Sequence, residues 1–184
     1  MREIKEVRDS TLDTKTETKE RVYLVPPVRL AFAHLIKPYD LAHIVQVALA
    51  TGHCELFLVG NGLRLDNPKV ISKVASWNIA KKEIENLPVA YISSVAALKD
   101  ISKERLVGTS PHATTNAFDF AWQDTDLIVL GPPSGFSKRD ANLMDEIVNI
   151  PTLQNVPFLT IPTVVPTLTY HILTQRGLWS KLER

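Results

Sequence analysis

Three polar side chains recur at a three-residue spacing shortly after the first apolar run of the chain. They are Asp40, His43 and Gln46, and this spacing places them on one face of a helix. An aspartate beside a histidine can orient the imidazole so that it accepts a proton, which is the chemistry of a general base. The same residues could instead be only the solvated face of an amphipathic helix. The pattern leaves both interpretations open.

Two loops carry residues suited to a ligand that is held by backbone groups. The first, LGPPSGFS, begins at Leu130 and combines two prolines with Gly131 and Gly135, which let a ligand approach the main chain closely. The second, residues 150–166, carries four prolines among large apolar side chains. Because proline fixes φ and removes a donor, this stretch is neither a helix interior nor a central strand. We predict an ordered, packed loop, although a loop that merely covers a sheet end has the same composition.

The elements that position these loops follow from the hydropathy pattern. Strands are predicted at residues 28–35, 55–60, 89–93, 105–110, 126–131 and 146–150. Helices are predicted from an Asp40 cap to Gly52, after Asn67-Pro68, around 94–99 and 137–144, and from Thr163 to Arg176. Since a parallel crossover needs about a dozen residues and usually contains a helix, this alternation predicts an α/β domain with a mostly parallel sheet and helices on both faces. Ligands bind such sheets outside the carboxyl ends of the strands.

Composition restricts the class of protein. We expect one domain at residues 21–184 of the 184-residue chain, preceded by a mobile charged tail at residues 1–20. The single Cys54 excludes an internal disulfide and leaves a structural zinc site without its usual ligands, so we expect a cytoplasmic protein with no metal. No apolar stretch approaches the roughly 20 residues of a membrane span. The net charge of +1 means that nucleic acid would need a local basic patch.

The order of the motifs resembles the TrmH-like (SpoU) branch of the SPOUT superfamily of RNA methyltransferases. LIKPYDLAHIVQVALATGHCELFLVG has the layout of that branch's first motif, in which a proline and an asparagine precede a helix that ends in a glycine. The glycine turn followed by EIVNIPTLQNVPFLTIPTVVPTLTYHIL resembles the family's last third, so the likeness spans most of residues 28–177. The resemblance implies a C-terminal trefoil knot, S-adenosylmethionine bound in the knot, a homodimer, and tRNA or rRNA as substrate.

Carried over position by position, the resemblance implies a cofactor site built largely from main-chain groups. Its residues would be Leu130, Gly131, Pro132, Ser134, Gly135, Ile150, Thr152, Leu159 and Thr160. The catalytic positions depart from the family pattern, because Gln46 stands in place of an arginine, Asp40 in place of an asparagine, and Thr160 and Pro162 in place of Asn and Ser.

Neutral glutamine is a poor base for a ribose hydroxyl, so His43 is the nearest alternative, with His34 and His112 as further candidates. His171 is expected to be a packing residue or a dimer contact. A substrate-facing loop could lie at residues 110–118. The larger aromatic residues are expected to anchor the core or an interface rather than to stack on bases: Tyr39, Trp77, Tyr91, Trp122 and Trp179.

Three functions therefore compete. The first is S-adenosylmethionine-dependent methylation of an RNA ribose 2′-oxygen. The second is a knotted protein that binds the cofactor or RNA and has lost methyl transfer, which Gln46 favours. The third is an unknotted nucleotide-binding α/β protein, against which the lack of a Gly-rich turn after the first strand argues.

Overall fold

The computed structural model describes residues 27–180 with six gaps, each of one or two residues. The omitted positions within that range are His34, Ile36, Asn61, Pro133, Gln154, Asn155 and Pro157. The predicted tail at residues 1–20 and the candidate His34 lie outside the described residues.

Seven strands and six helices form in the described part of the chain. The strands are β1 (Val28–Ala33), β2 (Cys54–Val59), β3 (Val89–Ile92), β4 (Arg105–Thr109), β5 (Thr115–Asn116), β6 (Asp126–Leu130) and β7 (Glu146–Asn149). The helices are α1 (Pro38–Thr51), α2 (Pro68–Ala75), α3 (Lys81–Glu85), α4 (Val95–Ile101), α5 (Lys138–Ala141) and α6 (Ile161–Gln175), and a 3₁₀ turn follows at Leu178–Ser180.

The strands form one sheet in the order β3-β2-β1-β6-β4-β7-β5, and every pairing is parallel. Alternate residues of the central strands face opposite sides, as in Ile128 and Val129 of β6. One side is covered by α1, α2 and α6, and the other by α4 and the segment around Phe136 and Met144. The predicted α/β class, with a parallel sheet between helices, is confirmed.

Two helix starts differ from the prediction. α1 begins at Pro38 with Lys37 as its N-cap, so Asp40 lies in the first turn instead of capping it. Proline is favoured at this first position because its missing N–H would have no helical partner there. α6 begins at Ile161, two residues before the predicted start, so Pro166 lies in the second turn rather than the first.

The connection from β4 to β6, residues 110–125, crosses the end of α6. The Nε2 of Gln175 donates to the carbonyl of Phe120 at 2.9 Å, and the amide of Trp122 donates to the Oε1 of Gln175 at 3.2 Å. Arg176 donates to the carbonyl of Gln123. Within the same connection, β5 pairs with β7, so β7 lies between β4 and β5 in the sheet.

Ion pairs join the strands at the edge where they begin. Arg105 donates to both carboxylate oxygens of Asp126, at 2.7 and 2.8 Å, and the Asp126 side chain is fully buried. The carboxylate also accepts from the amide of Gln123 at 2.7 Å. The hydrogen bonds that Arg105 donates to Asp126 raise the pKa of Arg105. The charged residues at the amino ends of these strands therefore stabilise the sheet, and the carboxyl ends are left to bind a ligand.

Candidate cofactor site

A cavity of about 330 Å³ lies at the carboxyl ends of β4, β6 and β7. Its walls come from residues 109–111 after β4, 130–132 after β6, 149–152 after β7, and 158–164 leading into α6. The position is the one expected for a ligand of a parallel sheet, and the volume lies in the range of small-molecule sites.

Most of the predicted cofactor residues meet in this cavity. Six of the nine line it: Leu130, Gly131, Pro132, Ile150, Thr152 and Leu159. The other three lie outside the lining: Ser134 is exposed, Gly135 is buried, and Thr160 is the exposed N-cap of α6.

Sequence reasoning missed the contribution of β4 to the cavity. Thr109, Ser110 and Pro111 form one wall, and the last two belong to the loop in which a substrate-facing segment was expected. The signal was available, because the carboxyl end of any strand beside β6 lies at the same edge of the sheet. Of the remaining lining residues, Pro151, Phe158, Ile161 and Val164 belong to the predicted loop at residues 150–166, and Asn149 was not predicted.

Hydrogen bonds between uncharged groups hold the segments that line the cavity in place. The Nδ2 of Asn149 donates to the carbonyl of Ala113 at 2.7 Å, and the hydroxyl of Thr152 donates to the carbonyl of Val156 at 3.1 Å. The hydroxyl of Ser110 accepts from the amide of His112 at 3.2 Å. The described lining holds no Asp, Glu, His, Lys or Arg side chain. The cavity can therefore supply apolar contact and neutral hydrogen-bonding groups.

The turn after β6 is anchored by an aromatic ring. A Cβ atom at Gly131 would lie 2.8 Å from the Cζ of Phe136, and one at Gly108 in β4 would lie 2.8 Å from the same ring. The ring thus occupies the space above both glycines. The sequence suggested that Gly131 lacks a side chain so that a ligand can approach, whereas the structure shows that a side chain there would meet Phe136.

The polar face of α1 is not part of the cavity. Asp40, His43 and Gln46 are partly buried, and none of them lines it. The His43 ring lies 5.0 Å from the ring of Trp77, which follows α2. Among the described residues, no hydrogen bond joins Asp40 to His43. The predicted orientation of the imidazole by the carboxylate is therefore absent from this arrangement.

The other predicted side chains are dispersed. His112 is exposed beside the cavity wall, and a Cβ at Gly135 would lie 3.4 Å from its ring. His171 packs edge-on against Phe118 with ring centroids 5.1 Å apart. Trp122 is buried and donates to the carbonyl of Ala117 at 3.0 Å, as expected of a core residue. Tyr39, in contrast, is 60% exposed at the first turn of α1.

Residues 27–162 match the model of the SpoU rRNA Methylase family, and the chain therefore belongs to this family. The resemblance seen in the motifs is confirmed. Family membership argues against an unrelated nucleotide-binding protein, the third of the competing functions.

The chain is similar to individual methyltransferases of known sequence and structure. The chain is 24% identical over 164 residues to a 23S rRNA (uridine(2479)-2′-O)-methyltransferase of Streptomyces viridochromogenes, with 82% of this chain and 55% of the relative covered. The solved structure of the SpoU methyltransferase AviRb from the same organism, in complex with AdoMet, superposes with a TM-score of 0.71 at 21% identity over 85% of this chain and 60% of that one.

A second solved structure, from work on the 2-OH methylation of C/U34 on tRNA, superposes with a TM-score of 0.68 at 17% identity. The superposition covers 82% of this chain and 91% of that chain. These structural likenesses establish the fold. The chain spans only 55–60% of the length of the two Streptomyces proteins.

The described residues lack two features of other classes of protein, a cluster of metal ligands and a membrane-spanning helix. Within residues 27–180, apart from the gaps, no group of three or more His, Cys, Asp or Glu side chains is placed to hold a metal ion. In that same part of the chain, no helix has the length and apolar character needed to cross a membrane.

Proposed function

We propose that this chain binds S-adenosylmethionine in the cavity at the ends of β4, β6 and β7 and transfers its methyl group to a ribose 2′-oxygen of tRNA or rRNA in the cytoplasm. The observation that carries the proposal is that six residues assigned to the cofactor from the family motifs meet in one cavity. The 2′-O-methyltransferase relatives support the reaction type.

The residues present suit this cofactor. S-adenosylmethionine carries a cationic sulfonium, and the described lining has no basic side chain to repel it. Main-chain groups of Gly131, Ile150 and Leu159 would hold the adenine and ribose, and the apolar walls would exclude water. Asn149 and Thr152 keep these segments in place through their bonds to Ala113 and Val156.

Methyl transfer needs a proton acceptor for the ribose hydroxyl. The bound cofactor would supply an electrophilic methyl group, whose bond to sulfur would break as its bond to the 2′-oxygen forms, leaving a neutral thioether. The attacking hydroxyl would lose its proton in the same reaction. Gln46 cannot accept that proton near neutral pH, so in this proposal His43 accepts it, with Asp40 and Gln46 on the same helix face. His43 would have to face RNA from α1, outside the cavity lining.

A second candidate function is a protein that binds the cofactor or RNA without transferring methyl groups. Two observations favour it: the described cavity lining has no titratable side chain, and Asp40 makes no hydrogen bond to His43 in the described structure. The Trp77 contact gives the His43 ring a packing role that needs no chemistry. Cofactor binding is common to both candidates, and methyl transfer separates them.

We propose further that the chain is a trefoil knot through which α6 passes. The support is the course of residues 110–125, which begin at the end of β4, pair with the outer side of β7 through β5, and return across α6 to β6. Their bonds to Gln175 and Arg176 hold the return limb over the helix end. The chain after β6 would therefore enter the loop that β4, this connection and β6 enclose.

A homodimer through the outer side of α6 completes the proposal. Tyr170 and Trp179 stack there with ring centroids 5.3 Å apart, and they remain 44% and 40% exposed. Exposed stacked aromatic rings are typical of interface anchors. The apolar faces of both helices in the sequence predict that the interface also includes the helix at residues 40–51. In the structure, α2 and α6 already cover most of α1 within one chain, leaving mainly Tyr39 and Ala50 exposed.

Titration calorimetry with S-adenosylmethionine, followed by single-turnover transfer from labelled cofactor to total tRNA and rRNA, tests the proposal. We expect binding and transfer, with His43→Ala reducing the transfer rate by about 100-fold or more at unchanged cofactor affinity. His112→Ala is the matched control, because it removes an imidazole next to the cavity. Binding without transfer by the parent would favour the second candidate. An absence of binding would refute the cavity assignment.

A further inference from the structure

We infer that a groove between α1 and α2 binds the phosphate backbone of single-stranded RNA, an inference that rests on the proposed function. The groove has a volume of about 290 Å³ and is separate from the cofactor cavity. Its lining residues are Tyr39, Pro68, Lys69, Ser72, Lys73 and Ser76.

The lysine side chains at the groove have no ion-pair partner in the described structure. Lys69 and Lys73 are one helical turn apart, with Cβ atoms about 6 Å apart, so they can contact neighbouring phosphates. Neither takes part in an ion pair within the described structure, nor does Lys37 at the start of α1, whereas the nearby Asp66 lies 3.6 Å from Arg64. This is the local basic patch that a chain of net charge +1 needs in order to bind nucleic acid.

Aromatic side chains accompany the lysines. Tyr39 is 60% exposed at the groove, where its ring can stack on an unpaired base. The ammonium of Lys73 lies 4.9 Å from the ring centre of Trp77, and the same ring lies 5.0 Å from that of His43. Interleaved lysine and aromatic side chains distinguish a single-strand surface from a merely charged helix face.

The groove is placed where a substrate would pass. α1 packs between α2 and α6, and α6 begins at the cofactor cavity. α1 follows the carboxyl end of β1, Pro68 at the start of α2 lines the groove beside Tyr39, and the first turn of α6 lines the cavity. All three helices therefore begin at the end of the sheet that holds the cavity. A single-stranded RNA bound along Lys69 and Lys73 would pass His43 and Tyr39 before it reaches the cavity. The groove would thus present one nucleotide to the cofactor.

Fluorescence anisotropy with a short labelled single-stranded RNA, measured over a range of salt concentrations, tests the inference on the full chain. Lys69→Gln with Lys73→Gln should weaken binding about tenfold and lower the slope of log affinity against log salt by about 1.4, the value for two phosphate contacts on a single strand. Tyr39→Ala should weaken binding about tenfold without changing the slope, because a phenol releases no counterions. The matched control is Lys81→Gln with Lys82→Gln, which removes the same charge from α3 and should change neither quantity.

The outcomes separate the groove from the proposed function. Cofactor affinity and the urea midpoint of each variant report whether it is folded. If the parent binds RNA and cofactor and the α2 lysine variant binds RNA with the parent's affinity and slope, the groove is refuted and the proposed function stands. If poly-glutamate displaces the labelled RNA as well as unlabelled RNA does, the assignment to RNA is wrong. A parent that binds neither cofactor nor RNA refutes both.

Discussion

A methyl group added at Gly131 tests how the cofactor cavity is built. The new Cβ would lie 2.8, 2.9 and 3.1 Å from three atoms of the Phe136 ring, closer than carbon atoms pack. The φ angle of Gly131 lies outside the left-handed region, so alanine adds no backbone strain. Any loss of unfolding free energy in Gly131→Ala should therefore come from the clash with the Phe136 ring, and it should disappear when Phe136 is replaced by alanine.

The magnitudes follow from this geometry. Overpacking by one methyl against a held ring should cost about 2 kcal/mol of unfolding free energy. Phe136→Ala should cost about 2–3 kcal/mol, less than the usual range for a fully buried phenylalanine because this ring is partly exposed. The double variant should cost no more than Phe136→Ala alone. The coupling free energy between the two sites is then about 2 kcal/mol.

Urea unfolding, followed by tryptophan fluorescence, measures the free energy of unfolding of the parent, the two single variants and the double variant. Calorimetry measures the affinity of the same four proteins for S-adenosylmethionine. Gly52→Ala is the control, since Gly52 has φ of +60° and no atom within 4 Å of its Cβ position, so its cost is backbone strain alone and should add to that of Phe136→Ala. Costs at Gly131 and Phe136 that add to within about 0.5 kcal/mol would refute the reasoning. Weak cofactor binding that Phe136→Ala does not relieve would place the new methyl in the path of the cofactor instead.

Three further predictions concern stability and assembly. Burial raises the pKa of the Cys54 thiol from 9.0 to about 11, so the stability that the neutral thiol contributes should be lost as the pH rises between these values, and at pH 9 iodoacetamide should alkylate the native protein about 50-fold more slowly than the unfolded chain. Equal rates would contradict this burial. Asp126→Ala should cost about 3 kcal/mol in urea unfolding because it leaves Arg105 without its bidentate partner, and a cost below 1 kcal/mol would show that solvent replaces the carboxylate. Replacing Tyr170 and Trp179 by aspartate should convert a dimer to a monomer in sedimentation velocity without changing cofactor affinity, and a parent that sediments as a monomer would refute the proposed interface.

Local sequence signals identified most elements of the fold. The β-branched runs predicted six strands because a buried parallel strand needs an apolar run that is visible in the sequence. β5 was missed because two residues, Thr115 and Asn116, become a strand only when the edge of β7 is available to pair with them. α3 was missed because Lys81–Glu85 is too short to show periodicity. The start of α6 was placed too late because the sequence does not show that the helix tolerates Pro166 in its second turn.

The cavity was predictable to the extent that its walls depend on backbone chemistry. Gly131 and the prolines after Ile150 mark their segments in any context, because their effect on φ and on backbone donors is local. Thr109 and Asn149 carry no such mark, and they reach the cavity only because β4 lies between β6 and β7 in the sheet. The same order of strands brings both Gly108 and Gly131 under the ring of Phe136.

Chemistry was the least predictable part, for a related reason. A helical spacing places Asp40 and His43 on one face, but it does not determine which neighbour each side chain contacts, and His43 meets Trp77, which follows α2. Since the described lining of the cavity has no titratable group, a proton acceptor for methyl transfer must come from outside that lining. We therefore expect cofactor affinity and methyl transfer to depend on different residues, so that Gln46 in place of the family's arginine affects the second without affecting the first.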